Sequence, residues 1–262
     1  MLCITGITFS QANIEGLIKA ERSFAAHSLA KGTKSAFLAY GDTNSIMFDK
    51  GKPVNTLALW ATRQENKSVL SWGPDYVEIS SSNDFGYSSG PWTFHEKSLN
   101  DTPVAQGHFA TIWHRNGQGE WKFMLDLGIG YEQKWTGTGV TQIPAGKQQY
   151  SVEGGNAYRN VEEVFIEEYK AKGAAAYTRF LSGKSRLFHN GHIPVTDPAG
   201  QKALLKDLRT DIVYTIAGGG ASSANDLLYA YGSVSYNGKT ENYFRVWRME
   251  KDGYRIALEV LR

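Results

Sequence analysis

The chain has one cysteine, Cys3, so neither an internal disulfide, a cysteine-based zinc site nor a thiol nucleophile in a core position is available to it. Charge of either sign is not in excess: 28 Lys and Arg stand against 26 Asp and Glu, and no Lys/Arg-rich run occurs. This argues against a nucleic-acid footprint and against an electrostatically held membrane partner. No stretch approaches the roughly 18 consecutive apolar residues that span a bilayer, which excludes insertion by an apolar helix. Missing too are a Gly-x-Gly-x-x-Gly turn after a strand and a phosphate-binding loop ending in Gly-Lys-Ser/Thr, and the one Gly-x-Ser-x-Gly match, Gly86-Tyr87-Ser88-Ser89-Gly90, falls inside the run read as the strand Phe85–Phe94 and not at a strand-to-helix elbow. Nucleotide-dependent and serine-hydrolase chemistry have no support. The six histidines show no His-x-x-x-His or His-x-Glu spacing, and no metal or other cofactor is expected.

What the chain has is a folded protein's composition, with 41% apolar and 13% aromatic residues. Its 262 residues are enough for about two domains. Residues 1–12, MLCITGITFSQA, run apolar from Leu2 to Phe9 and end in Ser10-Gln11-Ala12. They have the apolar part and small-residue cleavage site of an export signal without its basic start. The expectation is a protein exported to the periplasm or secreted, the alternative being a cytoplasmic one.

The dominant feature is internal repetition. Residues 20–54 align without a gap to 161–195, which brings Glu21 onto Glu162, Phe24 onto Phe165, Lys31-Gly32 onto Lys172-Gly173 and Pro53-Val54 onto Pro194-Val195. SSNDFGYSSG (81–90) answers SANDLLYAYG (223–232), and the closing segments 110–127 and 244–261 pair Trp113 with Trp247 and Lys122 with Arg255. An ordered series of matches over about a hundred residues indicates duplication. The boundaries expected are 13–129 and 159–262, with 130–158, rich in Gly, Gln and Thr, as a linker.

Each copy parses alike. Asn13 is read as the cap of a first helix with Leu17, Ala20, Phe24 and His27 at helical spacing, closed by Lys31-Gly32. Thr33 opens a short second helix, and Ile46–Phe48 is a strand ending at the Asp49-Lys50-Gly51 turn. Asn55, or Asp197-Pro198 in the second copy, caps a third helix. Strands follow at Tyr76–Ile79, Phe85–Phe94, His108–Arg115 and Trp121–Leu127, and Asn237-Gly238 marks a two-residue hairpin. The result is an α+β fold of two tandem cone-shaped domains, each with three helices on a strongly curved antiparallel sheet. Both faces of the long strands carry large apolar groups, with Phe109, Thr111 and Trp113 alternating with His108, Ala110, Ile112 and His114. One face meets the helices, and the other is expected to pack on the sister sheet, giving a pseudo-dimer within one chain that is monomeric in solution.

These residues carry a resemblance. AERSFAAHSLAKGTKSAFLAY, MFDKGKPVN, NDFGYSSGPWTF and GHFATIWHRNGQGEWKFMLDLG resemble the exported, functionally undescribed branch of the SnoaL-like, nuclear transport factor 2-like superfamily over about residues 15–129. The resemblance implies a pocket between the curved sheet and the helices, which some members use for isomerase, dehydratase or cyclase chemistry and others only for binding or scaffolding. Ketosteroid-isomerase-like members place a catalytic carboxylate near the first strand, and Asp49 is the matching position. Asn190 stands there in the second copy, and Asp is equally a turn residue before Gly.

Tyr40, Trp72, Tyr87 and Trp92 are the aromatic pocket candidates, with His27 on the first helix and His95, like His108, beside the loop between two long strands. Each of them serves equally well as core or loop structure. Three readings stay open: a binder of a small, largely apolar molecule in the first domain with the second domain structural; an isomerase- or dehydratase-like enzyme with Asp49 as base; and a protein-interaction module.

Overall fold

The computed structural model describes residues 9–144 and 156–262, with side chains from Ile14 onward. The proposed export segment lies outside the described residues as far as residue 8, and its Phe9–Ala12 portion is helical backbone. Helix α1 runs Phe9–Lys31, so Asn13 is inside the helix and is not its cap. No Gly or Pro separates Phe9 from Ile14 to break it there. Ile14, Leu17, Ile18, Glu21, Phe24, Ala25 and Ser28 are all buried, one continuous stripe at the spacing of an amphipathic helix.

Helix α2 (Thr33–Tyr40) leads into β1 (Gly41–Asp49), which turns into β2 (Lys52–Asn55). Asn55 then caps α3 (Thr56–Thr62), its side-chain oxygen accepting from the Ala58 N–H. Strands β3 (Val69–Trp72), β4 (Tyr76–Ile79), β5 (Phe85–His95), β6 (Ala105–Arg115) and β7 (Trp121–Gly130) follow. The order across the sheet is β2-β1-β7-β6-β5-β4, with β3 also on β5. The expectation of an antiparallel sheet needs one correction here, because β1 lies parallel to β7.

The segment expected to be a plain linker is partly built into this sheet. Thr141–Ile143 form β8, parallel to β4, with the Thr141 N–H donating to the Asp75 carbonyl. An edge strand presents unpaired backbone groups, and even three residues can satisfy some of them. Residues 145–155 of that segment lie outside the described residues.

The second half repeats the plan: α4 (Ala157–Lys172), a 3-10 turn (Gly173–Ala176), α5 (Tyr177–Phe180), β9 (Arg186–His189), α6 (Pro198–Lys206), then β10 (Val213–Ala221), β11 (Leu227–Tyr236), β12 (Lys239–Glu250) and β13 (Gly253–Leu261). Its order is β10-β11-β12-β13-β9, with β9 parallel to β13 as β1 is to β7. Asp197 caps α6, and Asn237 and Gly238, at φ 46 and 71, make the expected hairpin turn.

Both sheets bend at matched places. A bulge shifts the register between Ile112 and Trp113 in one half and between Val246 and Trp247 in the other. Gly90 and Gly232 are also matched, and a Cβ there would come within 2.0 Å of the Gly73 carbonyl oxygen and 1.9 Å of that of Thr215. Only glycine admits so close a strand.

Three apolar clusters result. One lies under α1 and α2, around Phe24, Trp113 and Phe123; a second lies under α4 and α5, around Phe165, Tyr177 and Trp247. The third joins the halves: Tyr87, Ile112, Leu125 and Leu127 of one sheet pack on Phe244, Val246, Leu258 and Val260 of the other. Both faces of the long strands are thereby covered, as their alternation requires.

Candidate functional site

The helices and sheet of the first half enclose a cavity of about 1010 Å³. Phe24 and Phe37 line it from the helices, Leu70 and Trp72 from β3, Trp92 and Phe94 from β5, and Phe109, Asp126 and Gly128 from β6 and β7. Gln106, Tyr131 and Glu132 stand at the rim with Asn190, Gly191 and Arg262 of the second half. That rim is fastened across the halves: the Gly191 N–H donates to the Gly130 carbonyl at 2.8 Å, and the Gly130 N–H to the Asn190 side-chain oxygen at 2.9 Å.

Asp126 reaches the cavity because of the β6/β7 bulge. Phe123 faces the helices opposite Trp113, Met124 is the extra residue, and Leu125 opposite Ile112 faces the sister sheet. Asp126 therefore falls on the cavity side, where plain alternation from Phe123 would point it at the other sheet. Its Oδ2 accepts from the Thr111 hydroxyl at 2.7 Å. Burial pushes its pKa up to about 6, against the lowering effect of that one hydrogen bond.

A second carboxylate lies one layer below. Glu21 is fully buried; its Oε1 accepts from the Trp72 indole at 2.7 Å and its Oε2 from the Ser88 hydroxyl at 2.5 Å and the Trp113 indole at 3.0 Å. Burial pushes it up to about 7 against the hydrogen bonds of Ser88 and Trp72, and the charge of Asp126 adds to the rise.

The equivalent space of the second half is filled. Thr111 sits opposite Asp126 as Arg245 sits opposite Glu259. Arg245 is fully buried, its Nε donating to Glu259 at 2.5 Å and its Nη1 to Glu162. Its guanidinium lies 4.0 Å from the ring centre of Phe165, 4.5 Å from that of Tyr214 and 4.9 Å from that of Tyr243. Tyr177 donates to Glu259 at 2.9 Å, and His189 bonds it at 2.6 Å.

Of the residues singled out in the sequence, Trp72 and Trp92 line the cavity. Tyr87 does not: it is fully buried on the opposite face, donating to Glu78 at 2.6 Å within the core between the sheets. Tyr40 packs on Phe24 and His27 behind the lining, and His27 bonds the Ser35 hydroxyl at 2.9 Å. His95 is a loop anchor, bonded to the Asp101 carbonyl at 2.8 Å and to Thr93 at 3.0 Å. His108 is buried between Tyr131 and Asp75. Asp49 ends β1 at the turn to β2, outside the lining, and that hairpin's Gly51 carbonyl accepts from Asn242 of the second half. The carboxylate inside the cavity is Asp126, with Glu132 at the rim, and among the described residues no group of three or more His, Cys, Asp or Glu has a metal-binding arrangement.

No family model matches the chain, and no curated protein does. It is similar to solved structures. An NTF2-like protein of unknown function from Silicibacter pomeroyi matches at 17% identity over 40% of this chain and 92% of that one, with a TM-score of 0.32. Another from Shewanella oneidensis matches at 18% over 44% and 96%, with a TM-score of 0.34. A ketosteroid isomerase-like protein from Erwinia carotovora atroseptica matches at 14% over 46% and 98%, with a TM-score of 0.36.

Proposed function

We propose that the first half binds a small, largely apolar molecule in its cavity and that the second half is its structural partner, the two forming a pseudo-dimer within one exported, monomeric chain. The observation that carries this reading is the opposite treatment of one space: the second half closes it with Arg245, and the first leaves about 1010 Å³ walled by Phe24, Trp72, Trp92 and Phe109 around the Asp126 carboxylate, with Glu132 at the rim. A largely aromatic chamber with a few placed polar groups is the usual design of a small-molecule site.

The test is a titration of the intact chain with 2-phenylethylamine and 2-phenylethanol, followed through the indole N–H resonances of Trp72 and Trp92. Saturable shifts at both are expected, and shifts spread over the surface or none at all remove the reading. Mass spectrometry of compounds extracted from the purified protein names the native ligand, and a mature N-terminus at Met1 in the native protein removes export.

A second reading has one observation behind it. A carboxylate held near pKa 6 inside an apolar chamber suits proton abstraction beside a carbonyl. An isomerase- or dehydratase-like activity would then use Asp126, in place of Asp49. Deuterium exchange at the α-carbon of a bound ketone, lost in Asp126→Asn, tests it; equal exchange in the variant excludes it.

A further inference from the structure

The filled half specifies what the open half lacks. In register, Phe165, Tyr214 and Tyr243 around Arg245 correspond to Phe24, Trp72 and Phe109, and all three of these line the cavity. Tyr214 takes the place of Trp72 because Tyr214 pairs with Val234 as Trp72 pairs with Trp92, with Gly232 and Gly90 fixing the register. Glu162 and Glu259 correspond to Glu21 and Asp126, and Arg245 corresponds to Thr111. The first half thus keeps the three aromatic walls and both carboxylates and omits the cation between them. Tyr177, another partner of Glu259, is replaced by Phe37, which packs on Phe24 at 5.0 Å as Tyr177 packs on Phe165 and has no hydroxyl, and in strand register the place of His189 falls to Asp49, outside the lining.

Resting on the reading of this cavity as a binding site, we propose that its ligand is an organic cation, an amine or guanidine on an apolar body. Its charged group sits among Phe24, Trp72 and Phe109 against Asp126, where Arg245 sits in the sister half. Aromatic faces attract a desolvated cation, and a carboxylate in the same chamber supplies its counter-charge. Thr111 is the hydrogen-bond partner of Asp126 among the described residues. Among the described residues the one basic side chain lining the cavity, Arg262, is exposed at the rim. Glu21 behind Trp72 adds negative potential without touching the ligand, since its oxygens are taken by Trp72, Ser88 and Trp113.

Two experiments on the intact chain decide it. In calorimetry at pH 7.5, 2-phenylethylamine should bind at least tenfold more tightly than its neutral isostere 2-phenylethanol, and Asp126→Asn should abolish the difference. Equal or tighter binding of the alcohol overturns the cation while leaving the cavity a binding site; binding of neither overturns both. The second experiment needs no ligand. Thr111→Arg supplies the guanidinium in cis, so it should melt above the uncharged size control Thr111→Met and lose amine binding. An arginine variant melting below the methionine one overturns the proposal.

Discussion

Asp84 and Asp226 hold each other's turns. Asp84 accepts through Oδ1 from Ser80 and Ser82 of its own turn and through Oδ2 from the N–H and hydroxyl of Ser223 in the sister turn. Asp226 does the reverse, accepting from Ser222 through Oδ1 and from the Ser81 N–H through Oδ2 at 2.7 Å. Asn83 and Asn225, at φ 59 and 56, take the left-handed conformation that both turns need. Each aspartate is thus a local cap and a clasp between the halves.

Replacing either aspartate by Ala removes a charged acceptor that holds the Ser223 or the Ser81 N–H across the two turns, and a loss of about 1–3 kcal/mol is expected in urea denaturation. For Asp84 the cost has a pH signature. Burial works to raise its pKa, but the hydrogen bonds from Ser223 and Ser82 outweigh it and hold the group below the usual range. The stability it contributes is therefore present above the unfolded carboxylate value and lost as pH falls through the folded one. Asp84→Asn should melt closer to the parent at pH 3 than at pH 7; an equal deficit at both leaves the clasp without its charge.

Arg245 gives the second prediction. Its removal in Arg245→Met leaves Glu162 and Glu259 buried without their cation, at an expected cost of about 3–5 kcal/mol. Burial opposes ionisation of Glu259, yet the Arg245 charge and the His189 hydrogen bond bring its pKa down to about 2. Its contribution is complete at neutral pH and disappears as pH falls from about 4 towards 2. The variant Arg245→Met/Glu162→Leu/Glu259→Leu should regain much of what Arg245→Met loses, because a packed apolar set needs no counter-ion. A single variant within about 1 kcal/mol of the parent would show that the pair contributes little.

The tandem fold was legible where the signal is local. Strand β4 falls on the expected Tyr76–Ile79, Asn55 and Asp197 cap the helices they open, and the matched segments occupy matched places in the two sheets. The site was half legible: Trp72 and Trp92 announce themselves by size, whereas Asp126 is hidden by a one-residue bulge that reverses the alternation of WKFMLDLG. Tyr87 misleads for a related reason. On β5 the small residues Gly86 and Ser88 meet helix α1, where Leu17 and Glu21 press down on the strand, and the large Phe85 and Tyr87 turn to the sister sheet. Parity along a strand is visible in sequence; which face meets which layer depends on the partner.

The open half should respond to pH in the opposite sense to the acid-labile groups. Asp126 and Glu21, at about 6 and about 7, lie above ordinary carboxylate values, so burial favours their neutral forms. Stability is fully present below the unfolded values and is lost as pH rises through 6 and 7. The groups facing them are Thr111 and Trp113 from β6, Ser88 from β5 and Trp72 from β3, with Glu132 and Arg262 at the rim. The denaturant midpoint of the ligand-free chain should fall between pH 5 and pH 8, and Asp126→Asn and Glu21→Gln should each flatten part of that slope. A midpoint constant over this range in the parent would mean that both carboxylates ionise at ordinary values.

The last prediction concerns the joint between the sheets. Arg248 of β12 donates to both oxygens of Glu78 on β4, at 2.5 and 2.7 Å, and Tyr87 and Tyr76 donate to the same carboxylate at 2.6 and 3.0 Å. This polar knot lies inside an apolar core drawn from both halves, beside the stacked rings of Phe85 and Tyr229, 5.7 Å apart. Glu78 alone is a buried charge without a cation, and Arg248 alone keeps only the 3.2 Å contact with Glu250, so Glu78→Gln and Arg248→Gln should each cost more than half of what the double variant costs, a coupling of about 1–3 kcal/mol in a double-mutant cycle. Because that core belongs to both halves, the intact chain should unfold in one transition and scatter light as a monomer. Residues 9–144 alone would bare Tyr87, Ile112 and Leu125 with Glu78 unpaired, and should self-associate through that face. A monodisperse, monomeric first half would mean that its sheet does not need the sister half to cover it.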